Sequence, residues 1–279
     1  MKLFPVVAEN FKMDGGACFG VVPKSIWQKQ VPADENNMIP MTSRCLLVDI
    51  SGRLILIDTG MGNKQSEKYF SHFHRFGQEN LTSSFEQAGY GFEQVTDVIL
   101  THLHFDHVGG ALAWGPDGKT PETVFPNATY YCSKQQWDWA MNPNAREKAA
   151  YFTENLLPLY EKGLLEFIYE DGPFCQGIDL ELKNGHTRGQ IIPLLDYKGA
   201  KVVYVADFIP SVVNVPVAYV PSFDIDPLVS MKEKEEFLMR AALEDYILFF
   251  EHDYYNECCT VVQTEKGIRV KELFKLKDI

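Results

Sequence analysis

Three histidines and one aspartate fall within six consecutive residues, and this cluster limits the possible folds more than any other part of the sequence. The window 101–110 reads THLHFDHVGG, so the spacing is HxHxDH. An apolar stretch with the pattern of a β-strand, residues 94–101, leads into the cluster, and two glycines end it. The chain must therefore end a buried strand in a loop that carries several metal-ligating side chains.

The spacing of the four side chains predicts two adjacent metal positions. His102 and His104 lie on one face of an extended chain. Asp106 and His107 reach a second position once the backbone turns. Imidazole binds zinc, iron, nickel or copper, and carboxylate extends the choice to harder ions such as manganese. A catalytic zinc ion usually has three protein ligands and one water, so the cluster supplies only part of two such sites.

Three further candidate ligands come after later predicted strands. His186 lies in the sequence Asn184-Gly-His-Thr-Arg-Gly189, Asp207 follows the strand predicted over 202–206, and His252 follows the strand predicted over 246–250. Side chains at strand ends are held by a rigid scaffold and still face a cleft, which suits metal ligands. We therefore expect these residues to complete the two metal sites.

The order of the predicted elements indicates an α/β protein. Strands come first, starting with a hairpin, then strands alternate with helices, and strands return near the C-terminus. Residues 145–157 have a helical pattern, and Asp226-Pro227 forms a cap before a helix over 232–245. The proline-rich segment 208–223 is predicted to be a long loop that shapes an active site. We expect two sheets with helices packed outside them, in one domain over residues 1–279.

The composition excludes several classes of protein. Lys and Arg total 26 and Asp and Glu total 38, which gives a net charge of −12 and argues against nucleic-acid binding. Hydrophobic residues make up 46% of the chain, which favours a packed core over disorder. No apolar run approaches the roughly 20 residues that span a bilayer, and the N-terminus lacks the apolar segment of a signal peptide. We therefore expect a cytoplasmic protein that binds neither nucleic acid nor membrane.

Other notable residues are expected to have ordinary roles. The six cysteines contain no CxxC pair, so buried free thiols are expected. His72 and His74 form a second HxH pair, but nothing nearby completes a metal site, and a solvated loop or helix is expected. The run Glu-Lys-Glu-Glu at 233–236 is expected to form a solvated helix face. Arg188 is either a surface residue or a contact for an anion.

Together these residues resemble the metallo-β-lactamase superfamily, from the Asp58-Thr-Gly60 element through His252. In that family HxHxDH follows a strand. A histidine in a Gly-His-Thr or Gly-His-Ser context, an aspartate after a buried strand and a late histidine then complete a dinuclear site. The resemblance implies a four-layer αββα sandwich with the metals at one edge of the two sheets.

The resemblance also assigns a role to each ligand. The implied ligands are His102, His104 and His186 for the first metal, and Asp106, His107 and His252 for the second metal. Asp207 would bridge the two ions, and Asp58 would support the site from outside the ligand shell. Asp106 and Asp207 are also the implied catalytic carboxylates, with Asp106 relaying a proton to the leaving group. The implied cofactors are two divalent metal ions, zinc first, with manganese or iron as alternatives.

Within the superfamily, the sequences HLHFDH and FFEHD are most similar to the N-acyl homoserine lactonase and methyl parathion hydrolase branch. Two features depart from that branch. The usual Gly-His-Thr-Pro-Gly-His is here Gly-His-Thr-Arg-Gly-Gln, with Arg188 and Gln190. Pro210 stands where the lactonases carry a tyrosine that contacts the substrate carbonyl. The candidates to replace that tyrosine are Tyr219, Tyr254 and Tyr255.

The implied chemistry is hydrolysis by a metal-activated water. Two cations that share a water lower its pKa and present a bridging hydroxide to a carbonyl or phosphoryl centre. The expected function is therefore cleavage of a small ester, lactone or related carbonyl compound. The alternatives are a phosphotriester or phosphodiester hydrolase with the same metals, and a metal-binding member without hydrolytic activity. The expected partner is a small-molecule substrate, and the oligomeric state stays open, with a homodimer as one alternative.

Overall fold

The computed structural model describes all 279 residues and shows an α/β protein, as the sequence predicts. The strands are β1 (Lys2–Asp14), β2 (Met38–Ile50), β3 (Arg53–Ile57), β4 (Asp97–Ile99), β5 (Leu112–Trp114), β6 (Pro121–Thr123), β7 (Thr129–Ser133), β8 (Leu165–Ile168), β9 (Gly172–Cys175), β10 (Ile178–Lys183), β11 (Gln190–Tyr197), β12 (Ala200–Tyr204), β13 (Ile247–Phe249), β14 (Cys258–Thr264) and β15 (Gly267–Phe274). The helices are α1 (Gly15–Phe19), α2 (Lys24–Trp27), α3 (Glu67–Phe70), α4 (Leu81–Ala88), α5 (Phe105–Val108), α6 (Lys134–Met141), α7 (Thr153–Glu161) and α8 (Pro227–Leu243).

The chain divides into two compact units, each with its own hydrophobic core. The first unit consists of Met1–Asn10 and Ser43–Glu170, and the second unit consists of Phe11–Thr42 and Asp171–Ile279. Val98 and Tyr130 lie in the core of the first unit, and Val203 and Leu248 lie in the core of the second.

The six cysteines are free thiols, and five of them are buried as expected, whereas Cys175 is only half-buried.

A six-stranded sheet has the order β1-β2-β3-β4-β7-β8. The predicted hairpin is present as β2 and β3, joined by Ser51 and Gly52 with φ of 51° and 80°, the left-handed conformations that a tight hairpin turn needs. Strands β3, β4, β7 and β8 run parallel. The carboxyl ends of β3 and β4 therefore lie at the same edge, which brings Asp58 and His102 to that edge.

A seven-stranded sheet has the order β15-β14-β13-β12-β11-β10-β9. Strands β12 and β13 are parallel, and β10 and β12 both pair antiparallel with β11. Strands β10, β12 and β13 therefore point in one direction and end at one edge of the sheet. His186, Asp207 and His252 follow these three strands, so the topology places all three at that edge.

The sequence pattern did not predict β1. Its stretch contains Pro5 and several polar residues, which weaken the signal of a strand. In the structure β1 lies at the edge of the six-stranded sheet, where a proline is tolerated because no partner needs its missing N–H group. Tertiary position thus overrides the local signal.

The helix predicted over 145–157 is wrong in its first half. Residues 148–150 form a single 3-10 turn, Tyr151 and Phe152 are extended, and α7 begins only at Thr153. Glu147 is instead held by a buried hydrogen bond with His104, and the Asn144 side chain accepts the N–H groups of Arg146 and Glu147 at 2.8 and 3.1 Å, contacts that compete with helical hydrogen bonds. A tertiary network therefore interrupts a segment with good helical propensity.

Helix α8 has the N-terminal cap that the sequence predicts. The Asp226 carboxylate accepts a hydrogen bond from the Val229 N–H at 3.2 Å, and Pro227 occupies the first helical position. The helix starts earlier than the predicted range and ends at Leu243, two residues before Asp245, which has φ of 51°. No helix of the protein combines the length and the apolar composition that crossing a membrane requires.

Candidate metal centre

Asp58 organises the histidine cluster in the first unit. It follows β3 in a left-handed conformation, φ 59°, and is completely buried. Its Oδ1 accepts the Thr101 N–H at 2.7 Å, and its Oδ2 accepts the Thr101 hydroxyl at 2.6 Å. The carboxylate therefore ties the end of β3 to the start of the HxHxDH segment.

The contacts of Asp58 and Thr101 define which ring nitrogen two histidines present. His107 Nδ1 lies 3.1 Å from Asp58 Oδ2, so this nitrogen donates to the carboxylate. The single hydroxyl proton of Thr101 goes to Asp58, so its oxygen accepts from His102 Nδ1 at 3.1 Å. Both neutral rings therefore keep a lone pair on Nε2, the form that binds a metal ion.

His104 is held by a residue that the sequence analysis did not identify. Its Nε2 lies 3.2 Å from Glu147 Oε1, which leaves Nδ1 as the nitrogen with the lone pair. The buried Glu147 carboxylate also accepts from Trp139 Nε1 at 2.6 Å, Asn144 Nδ2 at 2.6 Å and the Tyr151 hydroxyl at 3.1 Å. No local pattern links Glu147 to His104, because the two residues are far apart in sequence.

The backbone around the cluster is packed so closely that glycine is required. A Cβ on Gly109 would lie 2.0 Å from the Met61 carbonyl oxygen, and one on Gly110 would lie 2.0 Å from the Thr59 carbonyl oxygen. Lys64 is buried beside this contact, and its ammonium group donates to the carbonyls of Gly109 and Leu112. The glycine pair after HxHxDH therefore allows the 58–64 loop to lie directly against the ligand segment.

Asp106 completes the cluster of the first unit and affects its neighbours. Its Oδ1 lies 3.9 Å from Nε2 of His107. Burial raises the pKa of Glu9 to about 7, and the charge of Asp106 adds to this effect. Burial and the same charge raise the pKa of Tyr69. The site is thus rich in negative charge, which suits a cation.

In the second unit, His186 and His252 are held in the same way as the histidines of the first unit. His186 Nδ1 lies 3.0 Å from Asp224 Oδ1, and His252 Nδ1 lies 2.9 Å from the Thr42 carbonyl oxygen. Both rings therefore present Nε2. These two nitrogens lie 3.2 and 2.8 Å from the two different carboxylate oxygens of Asp207.

A strained turn and a buried amide orient Asp207. Ala206, directly before it, has φ of 41°, which L-residues rarely adopt. The buried Gln190 amide oxygen, in the orientation that satisfies its hydrogen bonds, accepts the N–H groups of Asp207 and Phe208 at 3.0 and 3.3 Å. The glutamine that departs from the superfamily pattern thus has a structural role, because it fixes the turn that carries Asp207.

The contacts of Asp207 require a positive charge between the carboxylate and the rings. The Thr42 carbonyl only accepts hydrogen bonds, so Nδ1 of His252 carries the proton and Nε2 of the neutral ring holds a lone pair. That lone pair faces a carboxylate oxygen at 2.8 Å, and two acceptors at this distance repel unless a proton or metal ion lies between them. Imidazole nitrogen and carboxylate oxygen are the ligands that zinc prefers, so these residues fit a metal ion.

The remaining sequence candidates lie in supporting positions. Arg188 donates to the Asn184 carbonyl at 2.9 Å and lies 3.5 Å from the Asp226 carboxylate, so it braces the loop around His186. His72 and His74 are exposed beside α3, as expected for residues outside a metal site. All seven candidate ligands are among the side chains that could hold a metal ion.

A small cavity in the second unit lies next to His252. Its lining includes Pro210, Phe223, Tyr254 and Tyr255 together with apolar side chains such as Met41, and His252 itself. Two of the three tyrosines that could replace the lactonase tyrosine therefore border the same cavity as Pro210. Tyr219 is not part of this lining.

Comparison with known proteins identifies the family. The model of the Metallo-beta-lactamase superfamily matches residues 38–252, a span that includes the HxHxDH cluster and all three later candidate ligands. The chain belongs to the metallo-beta-lactamase superfamily. As a member of this superfamily it is a hydrolase, which confirms the family and the enzyme class expected from the sequence.

Two curated relatives in this superfamily are N-acyl homoserine lactonases. The chain is 28% identical over 250 residues to the enzyme of Bacillus cereus, covering 84% of this chain and 87% of that protein. It is 27% identical over 240 residues to N-acyl homoserine lactonase AiiA of Bacillus thuringiensis subsp. kurstaki, covering 81% and 84%. The relatives therefore match almost the full length of the chain.

Solved structures confirm the predicted fold class of the superfamily. A probable metal-dependent hydrolase from Staphylococcus aureus superposes with a TM-score of 0.88 and 27% identity, covering 100% of this chain and 98% of that one. AidC, a dizinc quorum-quenching lactonase in complex with N-hexnoyl-L-homoserine, superposes with a TM-score of 0.80 and 23% identity, covering 98% and 94%. The likeness to AidC is evidence for the fold alone.

Proposed function

We propose that this superfamily member is a hydrolase with a dinuclear metal centre, and that residues 1–279 act as one catalytic domain. The proposed ligands are His102, His104 and His186 for one ion and Asp106, His107 and His252 for the other. Asp207 would bridge the two ions. The observation that carries this proposal is the position of Asp207, whose two oxygens face the Nε2 atoms of two different histidines.

Zinc is the proposed metal. The donor set consists of imidazole nitrogens and carboxylate oxygens, which suit zinc, with manganese and iron as alternatives. The dizinc state of AidC, which has the same fold, also favours this choice. When bound, two such ions would lower the pKa of a shared water and polarise the substrate carbonyl.

The residues of this chain prepare the site before any metal binds. Asp58, Glu147 and Asp224 fix the tautomers and orientations of their histidines through hydrogen bonds. Asp106 and Asp207 bring negative charge that offsets the charge of the cations. We propose that Asp106 also passes a proton to the leaving group, because it lies on the side of the cluster that is less buried.

The proposed substrate is a small ester or lactone with an apolar substituent. Tyr69 packs edge-to-face on Phe105 and Phe152 with ring centroids 5.3 and 5.0 Å apart, and this aromatic group lies next to Asp106. Such rings bind apolar groups through burial rather than hydrogen bonding. The lactonase relatives act on substrates of this class, whereas the net charge of −12 disfavours nucleic acid.

Elemental analysis combined with a substrate panel tests this function. The purified protein is expected to bind two metal ions per chain and to hydrolyse one member of a panel of lactones, esters and phosphotriesters. His104→Ala is expected to lose metal and activity together, while His72→Ala, which changes an exposed histidine, should keep both. Full activity in a protein that contains only one metal ion would contradict the dinuclear proposal. Turnover of phosphotriesters alone would favour the alternative substrate class.

A further inference from the structure

The segment 209–223 has few backbone donors to hold its own shape. It contains Pro210, Pro216 and Pro221, and its only regular structure is one 3-10 turn at 212–214. Proline lacks an N–H group, so carbonyl groups outnumber donors in this segment. Buried carbonyls must therefore find donors in other parts of the protein.

Lys234 of helix α8 supplies these donors. Its side chain is 2% exposed, and its Nζ donates to the carbonyl of Asn214 at 2.8 Å and to the carbonyl of Tyr219 at 3.0 Å. The sequence pattern predicted a solvated lysine here, and that prediction is wrong. Because a lysine is almost never fully buried without a specific partner, its position indicates a defined role.

The neighbours of Lys234 connect the segment to the rest of the second unit. Asn214 donates to the Cys18 carbonyl at 3.1 Å and accepts the Ser211 hydroxyl at 2.6 Å. Burial lowers the pKa of Lys234 to about 7, while the charge of Asp224 partly opposes this effect. The ammonium group thus lies between two loop carbonyls that share a network of hydrogen bonds.

The same helix also holds the loop of a proposed ligand. Glu233 accepts the backbone N–H groups of Asn184 and Gly185 at 3.0 and 3.1 Å. Ser230 donates to Asp224 at 2.6 Å, and Asp224 orients His186. Helix α8 therefore fixes His186 through Ser230 and Glu233. Its Lys234 holds the 209–223 segment by hydrogen bonds, beside the apolar core that the segment shares with the helix.

We propose that Lys234 is a positioning residue that holds segment 209–223 in the form that builds the cavity beside His252, and thereby determines substrate affinity but not metal binding. Pro210, Ser211, Asn214 and Phe223 of the segment line this cavity. Without Lys234 the segment loses its hydrogen bonds to the ammonium group on α8. The kinetic part of this inference rests on the proposed hydrolase function, whereas the structural part does not.

Lys234→Met tests the role of the ammonium group with little change in side-chain length. Lys232→Met, an exposed lysine on the same helix, is the matched control. Backbone amide exchange within 209–223 is expected to become about tenfold faster or more in Lys234→Met and to stay unchanged in Lys232→Met. Metal content should stay at the wild-type value. KM should rise about tenfold while kcat changes by less than about twofold.

Three outcomes would overturn the inference. The first is wild-type exchange across 209–223 in a folded Lys234→Met protein, and the second is a loss of metal with an unchanged KM. If Lys234→Met does not fold, Lys234→Gln, which loses the ammonium charge and one bond of the reach to the two carbonyls, is measured in the same way. Exchange in that variant at the wild-type rate is the third. Amide exchange decides the structural part even when no substrate is turned over, so the two proposals fail separately.

Discussion

Each proposed histidine ligand has one ring nitrogen occupied by a protein acceptor. The acceptors are the Thr101 hydroxyl, three carboxylates and one backbone carbonyl, on His102, His104, His107, His186 and His252. Such contacts select the tautomer and orientation of the ring before metal binding, so less conformational entropy is lost when the ion binds. We therefore expect the acceptors to contribute to metal affinity together with the proposed ligands.

Glu147→Gln tests this view at a single residue. The amide keeps one acceptor oxygen and replaces the other with an N–H₂ group. That group faces a donor pair, either Trp139 and Asn144 or Tyr151 and His104, so the network that orients His104 is disrupted. We expect metal affinity to fall by about 10- to 100-fold. Competition titration with a chromophoric chelator measures this affinity.

The control for Glu147→Gln is Glu122→Gln, which changes an exposed glutamate of the same unit. That variant should bind metal like the wild-type protein. Equal affinities for all three proteins would show that Glu147 does not contribute to the site.

At the level of elements, strand direction brings the site residues together. Strands β3 and β4 are parallel, and so are β12 and β13, so residues that follow these strands meet at sheet edges. The sequence identified the strand ends and their polar side chains. Pairing between strands depends on long-range contacts that no local pattern reports, so the sheet orders needed the tertiary structure.

Asp245→Gly tests how α8 ends. Asp245 follows the helix with φ of 51°, a conformation that costs energy for any residue with a Cβ. Its pair with Lys271 at 3.4 Å is exposed and contributes little. We expect Asp245→Gly to raise the free energy of unfolding by about 0.5–1 kcal/mol in denaturant titrations.

Asp245→Ala is the control, because it removes the same carboxylate but keeps the Cβ. It should be no more stable than the wild-type protein. An equal gain in both variants would mean that the carboxylate, rather than the backbone conformation, limits stability.

For the whole molecule, buried charges make stability depend on pH. Burial lowers the pKa of Lys64 to about 8, while Glu154 partly opposes this effect. An unfolded lysine keeps its proton up to about pH 10.4, so the unfolded state binds more protons between these values. The contribution of Lys64 to stability therefore grows as the pH rises through this window.

Lys64→Met measures this contribution. The unfolding free energy of the wild-type protein minus that of Lys64→Met should rise by about 3 kcal/mol from pH 8 to pH 10.5. Cysteines and tyrosines that titrate in this range are common to both proteins and cancel. Lys68→Met, at an exposed position, should show a constant difference. A free-energy difference, wild type minus Lys64→Met, that stays constant or falls over this pH range would refute the lowered pKa of Lys64.

The sequence by itself determined the family of this protein and its candidate metal ligands. The HxHxDH spacing, the Asp58-Thr-Gly60 element and three later candidate ligands indicated the superfamily, because metal chemistry demands specific side chains at short, recognisable intervals. Caps and turns, such as Ser51-Gly52, were also readable, since they depend on neighbouring residues.

Only the tertiary structure decided which residues surround those ligands. Glu147, Gln190 and Lys234 carry no local signal, and their roles arise from contacts with residues distant in sequence. The pattern even assigned Lys234 to a solvated face. Lys234 can be buried because carbonyl groups of a distant loop need a hydrogen-bond donor. Only the folded chain brings that loop and α8 together.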